Sequence, residues 1–178
     1  MKIKKLLLTS IIVLSTCIPV KVYANQPFTL PSLRVKSDHG IIYLIATMKT
    51  SQYESQYDKA RALYNFVIDY MSYDEEQALD KENPKYIYTS TEALYRRKGI
   101  CYEYALFYAA LCRAIGIPTQ VAKGNVQLGE ESYYHAWNRI LIDNNWISVD
   151  PTLGDVSEDC RNKFFDFDSS DREITGVE

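Results

Sequence analysis

The amino-acid sequence predicts an α+β domain in which helices come first and an antiparallel sheet follows. Three observations lead to this fold class. The segment YDKARALYNFVIDYM places apolar residues at helical spacing. The run CYEYALFYAALCRAI is apolar almost throughout, which predicts a buried helix. Beyond it, short segments rich in β-branched and aromatic residues predict strands.

Residues 1–24 have the pattern of a secretory leader. A start with three lysines is followed by a mostly apolar stretch over residues 6–20. Val22 and Ala24 then have the spacing that signal peptidases recognise. We therefore predict cleavage after Ala24 and a secreted or cell-surface protein with no membrane span after processing. Lipidation at Cys17 and an uncleaved membrane anchor are the alternatives.

The predicted mature chain is acidic. Removing residues 1–24 takes away four of the 20 basic residues and none of the 23 acidic ones, so 16 stand against 23 and the net charge is −7. The remaining 154 residues are enough for one domain with a buried core. No basic patch of the kind that binds nucleic acid remains, so we expect no nucleic-acid partner.

Residues 25–56 are predicted to form a lead-in that includes one short helix. The first part, residues 25–37, contains two prolines and no clear period. Asp38 then stands where it could cap a helix over GIIYLIATMK.

The predicted core, residues 57–160, opens with the amphipathic helix described above. Residues 75–86 (EEQALDKENPKY) are polar and interrupted by proline, which predicts a loop. Another helix should begin at Thr89, because Thr89 and Glu92 have capping-box spacing. Basic residues followed by Gly99 indicate its end.

The buried central helix is predicted over residues 101–115, with Gly116 and Pro118 ending it. Three strands follow in PTQVAKGNV, YYHAWNRILI and NWISVD, with a turn at residues 143–145 (DNN). We expect the helix to pack against this antiparallel sheet. Residues 161–178 are acidic and are predicted to form a loose tail.

Cys101 is the candidate nucleophile. It stands in the first turn of the central helix, where unpaired N–H groups and a partial positive charge favour a thiolate. The alternative is a small buried core residue, which is the usual role of a cysteine. Cys112 lies about 16 Å further along the helix at ~1.5 Å per residue, too far for a disulfide with Cys101. A disulfide between Cys112 and Cys160 stays open.

Two histidines remain to serve such a thiol. His39 lies in the turn-like SDHG and is interpreted as a surface residue, whereas His135 begins a predicted strand. Asp150 closes the next strand, but the predicted turn pairs it with Asn138. This register leaves a stagger of three residues, about 10 Å at ~3.3 Å per residue. The residues by themselves therefore do not favour Asp150 over Asp143.

Two longer stretches resemble the transglutaminase-like superfamily, a branch of the papain-like fold. KGICYEYALFYAALCRAIGIPTQVAKG and HAWNRILIDNNWISVDPT contain, in order, the Gly-x-Cys, Gly-Ile-Pro, His-Ala-Trp and Val-Asp-Pro-Thr of that family. YDKARALYNFV with YMSYD also resembles the helix that precedes the family's core. The resemblance covers roughly residues 57–155.

The resemblance implies a papain-like, transglutaminase-like core with Cys101 as nucleophile, His135 as base and Asp150 as the residue that orients the imidazole. It places Trp137 and Tyr102 near the substrate, with Trp137 shielding the imidazole or lining the acyl site and core packing as its alternative. Tyr102 departs from the family, since vertebrate-type transglutaminases and papain have Trp there. No cofactor and no metal are expected, because the cysteines and His135 lack ligand-like spacing.

These features predict a secreted, thiol-dependent acyl-transfer enzyme that acts on protein or peptide amides, with cell-wall peptide among the candidate substrates. Water as acyl acceptor would make it a peptidase or amidase, and an amine would make it a cross-linking enzyme. The alternative is a non-catalytic module that binds a peptide or glycan on the same fold. The joint presence of Cys101, His135 and Asp150 argues against that alternative.

Overall fold

A computed structural model describes residues 28–80, 87–128 and 130–178 of the chain. The predicted leader, its cleavage site after Ala24 and Cys17 lie outside the described residues. The described helices are α1 (Gly40–Thr50), α2 (Gln56–Tyr70), α3 (Glu75–Leu79), α4 (Ser90–Arg96), α5 (Cys101–Ala114), α6 (Pro151–Gly154) and α7 (Glu158–Lys163). None of them is both long and apolar enough to cross a membrane.

The described strands form two sheets. They are β1 (Ser72–Tyr73), β2 (Lys98–Gly99), β3 (Thr119–Leu128), β4 (Glu131–Ile142), β5 (Asn145–Val149), β6 (Phe165–Phe167) and β7 (Arg172–Val177). β1 and β2 make a small parallel pair, and the other five form an antiparallel sheet in the order β6-β5-β4-β3-β7. The predicted α+β class is confirmed.

α5 is the central helix of the core, as predicted. Every residue from Tyr102 to Arg113 is buried. The helix packs on β3 and β4 and is covered from the other side by α1, α2 and α4. Arg113 is accommodated because its guanidinium donates to the backbone oxygens of Leu30, Thr119 and Glu178.

Three local predictions before α5 need correction. α1 begins after His39 rather than Asp38, and no side chain caps it. Residues 75–86, predicted as a loop, contain α3, which Asp74 caps by accepting from the Gln77 N–H. The capping box at Thr89 is present, but α4 ends on Arg97 in the left-handed region (φ 55°) instead of at Gly99.

The segment predicted as a loose tail is part of the sheet. α7 is followed by β6, which pairs with β5, and by β7, which pairs with the free edge of β3. Phe165 and Arg172 bury their side chains there. The acidic composition suggested disorder. However, β3 and β5 have edges with unpaired backbone groups, which β7 and β6 pair with, and Phe165 and Arg172 are buried in the process.

The hairpin between β4 and β5 is one residue tighter than predicted. Ile142 pairs with Asn145, so the turn consists of Asp143 and Asn144 alone, with φ of 48° and 66°. Positive φ at both positions defines a type I′ turn, whose twist suits a two-residue hairpin. Asn138 consequently pairs with Val149 and not with Asp150.

The pairing of β7 with β3 gives a stability prediction. The register shifts beside Gly124, and a Cβ at that position would lie 1.8 Å from the carbonyl oxygen of Glu173. Gly124→Ala should therefore push β7 away and cost about 1–3 kcal/mol. Thermal unfolding followed by circular dichroism should show a melting temperature lower by several degrees, at about 2–4 °C per kcal/mol.

Gly40→Ala is the matched control, because a Cβ there meets nothing within 4 Å and should leave the melting temperature close to that of the wild type. Equal melting temperatures for Gly124→Ala and the wild type would show that β7 is not held against β3.

Candidate active site

The start of α5 is fixed by a buried carboxylate. Glu103 is fully buried and folds back to accept from the N–H of Ile100, at 3.0 Å, and from the N–H of Tyr88, at 2.9 Å. A Cβ on Gly99 would lie 2.5 Å from the Cβ of Glu103. Glycine at this position therefore lets Glu103 cap the helix, and the cap sets where Cys101 begins it.

The short β1–β2 pair brings Tyr73 close to the start of α5. Tyr73 pairs with Gly99, and the Asp74 N–H donates to the Gly99 carbonyl oxygen at 2.9 Å. Asp74 is buried and forms ion pairs with Arg96 at 3.1 Å and Lys98 at 3.0 Å. These contacts hold the chain before α3 against the loop that leads into Cys101.

His135 and Asp150 meet through the tighter hairpin. Continued by one position beyond Val149, the observed register puts Asp150 across from Trp137, two residues from His135, so both side chains are on one face of the sheet as diagonal neighbours. The predicted register would have put them on opposite faces. The His135 Nε2 and the Asp150 Oδ2 lie 2.8 Å apart. Asp143 instead lies in the exposed turn.

Asp150 is completely buried, and all its hydrogen bonds serve its carboxylate form. Oδ2 accepts from His135 and, at 2.7 Å, from the Nη1 of Arg172. Oδ1 accepts from the N–H of Leu153 at 3.0 Å and so caps α6. Burial opposes ionisation, but the charges of His135 and Arg172 and these hydrogen bonds lower the pKa of Asp150.

The imidazole of His135 interacts with Cys101 on its other side. Burial by itself would lower the pKa of His135, but the charge and hydrogen bond of Asp150, together with a hydrogen bond to Cys101, raise it to about 9. Because Nε2 faces Asp150, Nδ1 is the nitrogen left for the sulfur. The site thus favours a charged imidazolium at neutral pH, held between a carboxylate and a thiol.

Cys101 and His135 open onto one cavity of about 400 Å³. Tyrosine, carboxylate and aliphatic side chains make up most of its wall, which consists of Tyr73, Glu75, Cys101, Tyr133, Tyr134, His135, Thr152, Leu153, Asp155 and Val156. The cavity is large enough for a few residues of an extended peptide or a side-chain amide.

The two residues predicted to bind substrate lie away from this wall. Trp137 is fully buried, and its ring stacks on the His135 ring at 6.5 Å between centroids. This position is compatible with shielding of the imidazole, which stays a prediction, and Trp137 is not among the residues that line the cavity. Tyr102 is a correction: its ring is buried and its hydroxyl donates to Glu178 at 2.9 Å. The first turn of α5 directs Tyr102 away from the cavity that Cys101 faces.

Sequence reasoning missed three residues that shape this site. Tyr73 belonged to a motif noted for the preceding helix, and Glu103 has capping-box spacing from Ile100, so both left a signal in the sequence. Arg172 left none, because it lies in the segment predicted to be loose.

The three described cysteines are all free thiols, so the Cys112–Cys160 disulfide considered from the sequence is not formed. Cys112 is fully buried in the core, and burial raises its pKa to about 12. Cys101 and Cys160 are each partly exposed.

The fold and the order of these residues define a domain of the papain-like class of thiol proteins. The family model of the transglutaminase-like superfamily matches residues 45–151. The chain therefore belongs to the transglutaminase-like superfamily.

Named relatives share this domain at low identity. Kyphoscoliosis peptidase of Mus musculus is 26% identical over 121 residues, which are 64% of this chain and 18% of that protein. The Homo sapiens protein of the same name is 23% identical over 154 residues, 82% of this chain and 22% of that protein. The chain thus spans about a fifth of the length of these relatives.

A solved structure has the same fold. It is described as a "Putative Cysteine Protease" from Cytophaga hutchinsonii and superposes with a TM-score of 0.65 at 21% identity, covering 85% of this chain and 45% of that one.

Thiol labelling tests the geometry of the site directly. With iodoacetamide near pH 7, Cys101 should alkylate faster than Cys160, because Cys101 lies beside the imidazole of His135 and opens onto the cavity. Cys112 should stay unlabelled until the protein unfolds, since it is buried and its pKa is about 12. Mass spectrometry of tryptic peptides over time measures all three rates.

Cys160 is the internal control, because it is a partly exposed thiol in the first turn of α7, just as Cys101 is a partly exposed thiol in the first turn of α5. Labelling of Cys101 at or below the rate of Cys160 in the folded protein would contradict an activated thiol and favour a binding module.

Proposed function

We propose that this protein is a cysteine acyl-transfer enzyme that acts on protein or peptide amides. Its nucleophile is Cys101, His135 is its acid and base, and Asp150 orients the imidazole. One observation carries the proposal: His135 lies between the thiol and a buried carboxylate, and the thiol faces a peptide-sized cavity. Membership of the transglutaminase-like superfamily supports the same reaction class.

The first step forms a thioester. The Cys101 thiolate attacks the amide carbonyl carbon, and a C–S bond forms while the carbonyl oxygen takes negative charge. The backbone N–H of Cys101 at the start of α5 is the candidate donor to this oxyanion, and Tyr73, which lines the same cavity, is the candidate second donor. The C–N bond then breaks as His135 gives the Nδ1 proton to the departing amine.

The second step releases the acyl group. His135, now neutral, takes a proton from water or from a second amine, which attacks the thioester carbon. The C–S bond breaks and the thiolate is restored. Because the pKa of His135 is about 9, the imidazolium needed for the first step persists at neutral pH. The acylation rate should fall as the pH rises through about 9.

The raised pKa of His135 also makes the stability of the fold depend on pH. The folded value exceeds the ordinary 6.5, so the charged pair with Asp150 stabilises the fold fully below about pH 6.5, and that contribution is lost as the pH rises through about 9.

We further propose that the enzyme acts outside the cytoplasm on surface proteins or cell-wall peptides. The leader pattern of residues 1–24 supports this location. The peptidase name of the mouse and human relatives supports hydrolysis, whereas the family as a whole also supports transfer to an amine.

A two-readout assay separates these outcomes. β-Casein incubated with the protein and dansylcadaverine should yield new peptide termini if water is the acceptor, and protein-bound fluorescence if an amine is the acceptor. Cys101→Ala should abolish either product. Absence of both products, together with unselective labelling of Cys101, would overturn the enzyme proposal.

Asp150 gives a sharper test within the site. Asp150→Asn should weaken turnover, because its amide can still bond the imidazole but carries no charge to stabilise imidazolium. Asp150→Ala should cost more, since nothing then orients the ring. A serine protease loses about 10⁴-fold for the equivalent Asp→Asn change, and we expect a milder loss here because papain-like enzymes use asparagine in this role.

The measurement is kcat/KM on casein-derived peptides, with circular dichroism to verify folding. Asp143→Asn is the matched control, because Asp143 lies in the exposed turn of the same hairpin. A folded Asp143→Asn protein that loses activity while Asp150→Ala keeps it would refute the assignment of Asp150.

A further inference from the structure

Arg172 adds a fourth charged group behind the three proposed catalytic residues. Its Nη1 donates at 2.7 Å to the Oδ2 of Asp150, the same oxygen that faces the Nε2 of His135 at 2.8 Å. We propose that Arg172 is a positioning residue that holds the Asp150 carboxylate in place and sets how firmly His135 keeps its proton. The kinetic part of this inference rests on the proposed function, whereas the structural part does not.

The Arg172 side chain is buried and held by specific contacts. Its side chain is 1% exposed, and its guanidinium lies over the rings of Phe167, at 4.3 Å, and Trp137, at 5.0 Å. Taking a guanidinium out of water costs several kcal/mol unless an anion and a good geometry repay it. Asp150 supplies that anion, and the two rings add cation–π attraction. The carboxylate of Asp150 and the two aromatic rings therefore offset most of the cost of burying this charge, and Asp171 adds a longer ion pair at 3.8 Å.

Arg172 comes from β7, which follows the segment that matches the family model, residues 45–151. β7 reaches the site because it pairs with β3, which in turn pairs with β4, so that Arg172 lies opposite Val126 and Val126 opposite Tyr133. The chain thus completes the surroundings of Asp150 with a strand from outside the matched region.

Sharing one oxygen has a predictable electrostatic result. The guanidinium is charged at every relevant pH, so Asp150 stays ionised even when His135 has given up its proton. The same cation repels the imidazolium and takes part of the carboxylate's attraction. Removing the charge of Arg172 should therefore let His135 hold its proton more strongly, and the histidine should titrate at higher pH.

Other titratable groups face this cluster from α5, β4, α2 and the turn before β7. Cys101 approaches His135 from α5, and Tyr133 lies next to it on β4 with its ring 5.8 Å from the imidazole. Tyr64 faces Asp150 from α2, and Asp171 lies 3.8 Å from the Nε of Arg172. Burial raises the pKa of both tyrosines, so they stay neutral where His135 titrates. Asp171 is half exposed.

The test measures the histidine itself. Because the chain has two histidines, the imidazole C2 protons in a ¹H NMR titration give two signals, which a His39→Gln variant assigns. Arg172→Gln should move the His135 titration upward by about one pH unit relative to the wild type. Arg172→Lys keeps the charge and should move it by only a few tenths. Arg139→Gln is the matched control, because Arg139 lies over Trp146 on the same sheet without contacting Asp150, and it should change nothing.

A folded Arg172→Gln protein with an unchanged His135 titration would overturn the proposal and leave Arg172 as an anchor for β7. If Arg172→Gln does not fold, Arg172→Lys decides, since a shift of a full pH unit despite the retained charge would contradict the role of that charge. If the protein cleaves a peptide substrate, the pH above which kcat/KM falls should rise in Arg172→Gln by the same amount as the NMR titration of His135. The NMR result stands even if the protein turns over no amide, so failure of the proposed function and failure of this inference can be told apart.

Discussion

The buried carboxylate of Asp150 is the constraint on which the rest of the site depends. An ion that is fully buried costs several kcal/mol unless each of its oxygens is satisfied. Here the partners come from β4, through His135, from β7, through Arg172, and from α6, through the Leu153 N–H. The Asp150 N–H also donates to Phe164, just before β6. Satisfying one carboxylate thus fixes the relative positions of two strands, a helix and the chain between them.

A second buried carboxylate does the same work at the other end of the site. Glu103 fixes the first turn of α5 and holds the segment around Tyr88, and it can do so because Gly99 leaves room for it. Cys101 is consequently placed by a cap two residues away rather than by packing of its own side chain. Both polar anchors are fully satisfied, which makes them rigid supports rather than weak points in the core.

The sequence was sufficient for the central helix and the strand segments, because these follow from long apolar runs and from short stretches rich in β-branched and aromatic residues. The order of the family's motifs is what singled out Cys101, His135 and Asp150, whose catalytic roles stay predictions. It was insufficient wherever one contact outweighed composition. Two contacts order the acidic segment after Phe165: β7 pairs with the edge of β3, and the buried Arg172 binds Asp150. Neither contact can be recognised from the segment's own sequence. Tyr102 illustrates the converse, since its neighbour Cys101 faces the cavity while the helical turn sends the tyrosine elsewhere.

The hairpin shows how a small geometric error changes a chemical conclusion. A turn of three residues would have placed His135 and Asp150 on opposite faces of the sheet, and sequence reasoning therefore had no basis for preferring Asp150 over Asp143. The two-residue turn moves every pair by one position and restores a common face, because side chains alternate along a strand. In the proposed mechanism, a thiolate at Cys101 would complete a row of alternating charges with His135, Asp150 and Arg172. In such a row, passing a proton from Cys101 to His135 creates a cation beside an anion that is already in place, so the buried site needs no rearrangement to accept the ion pair.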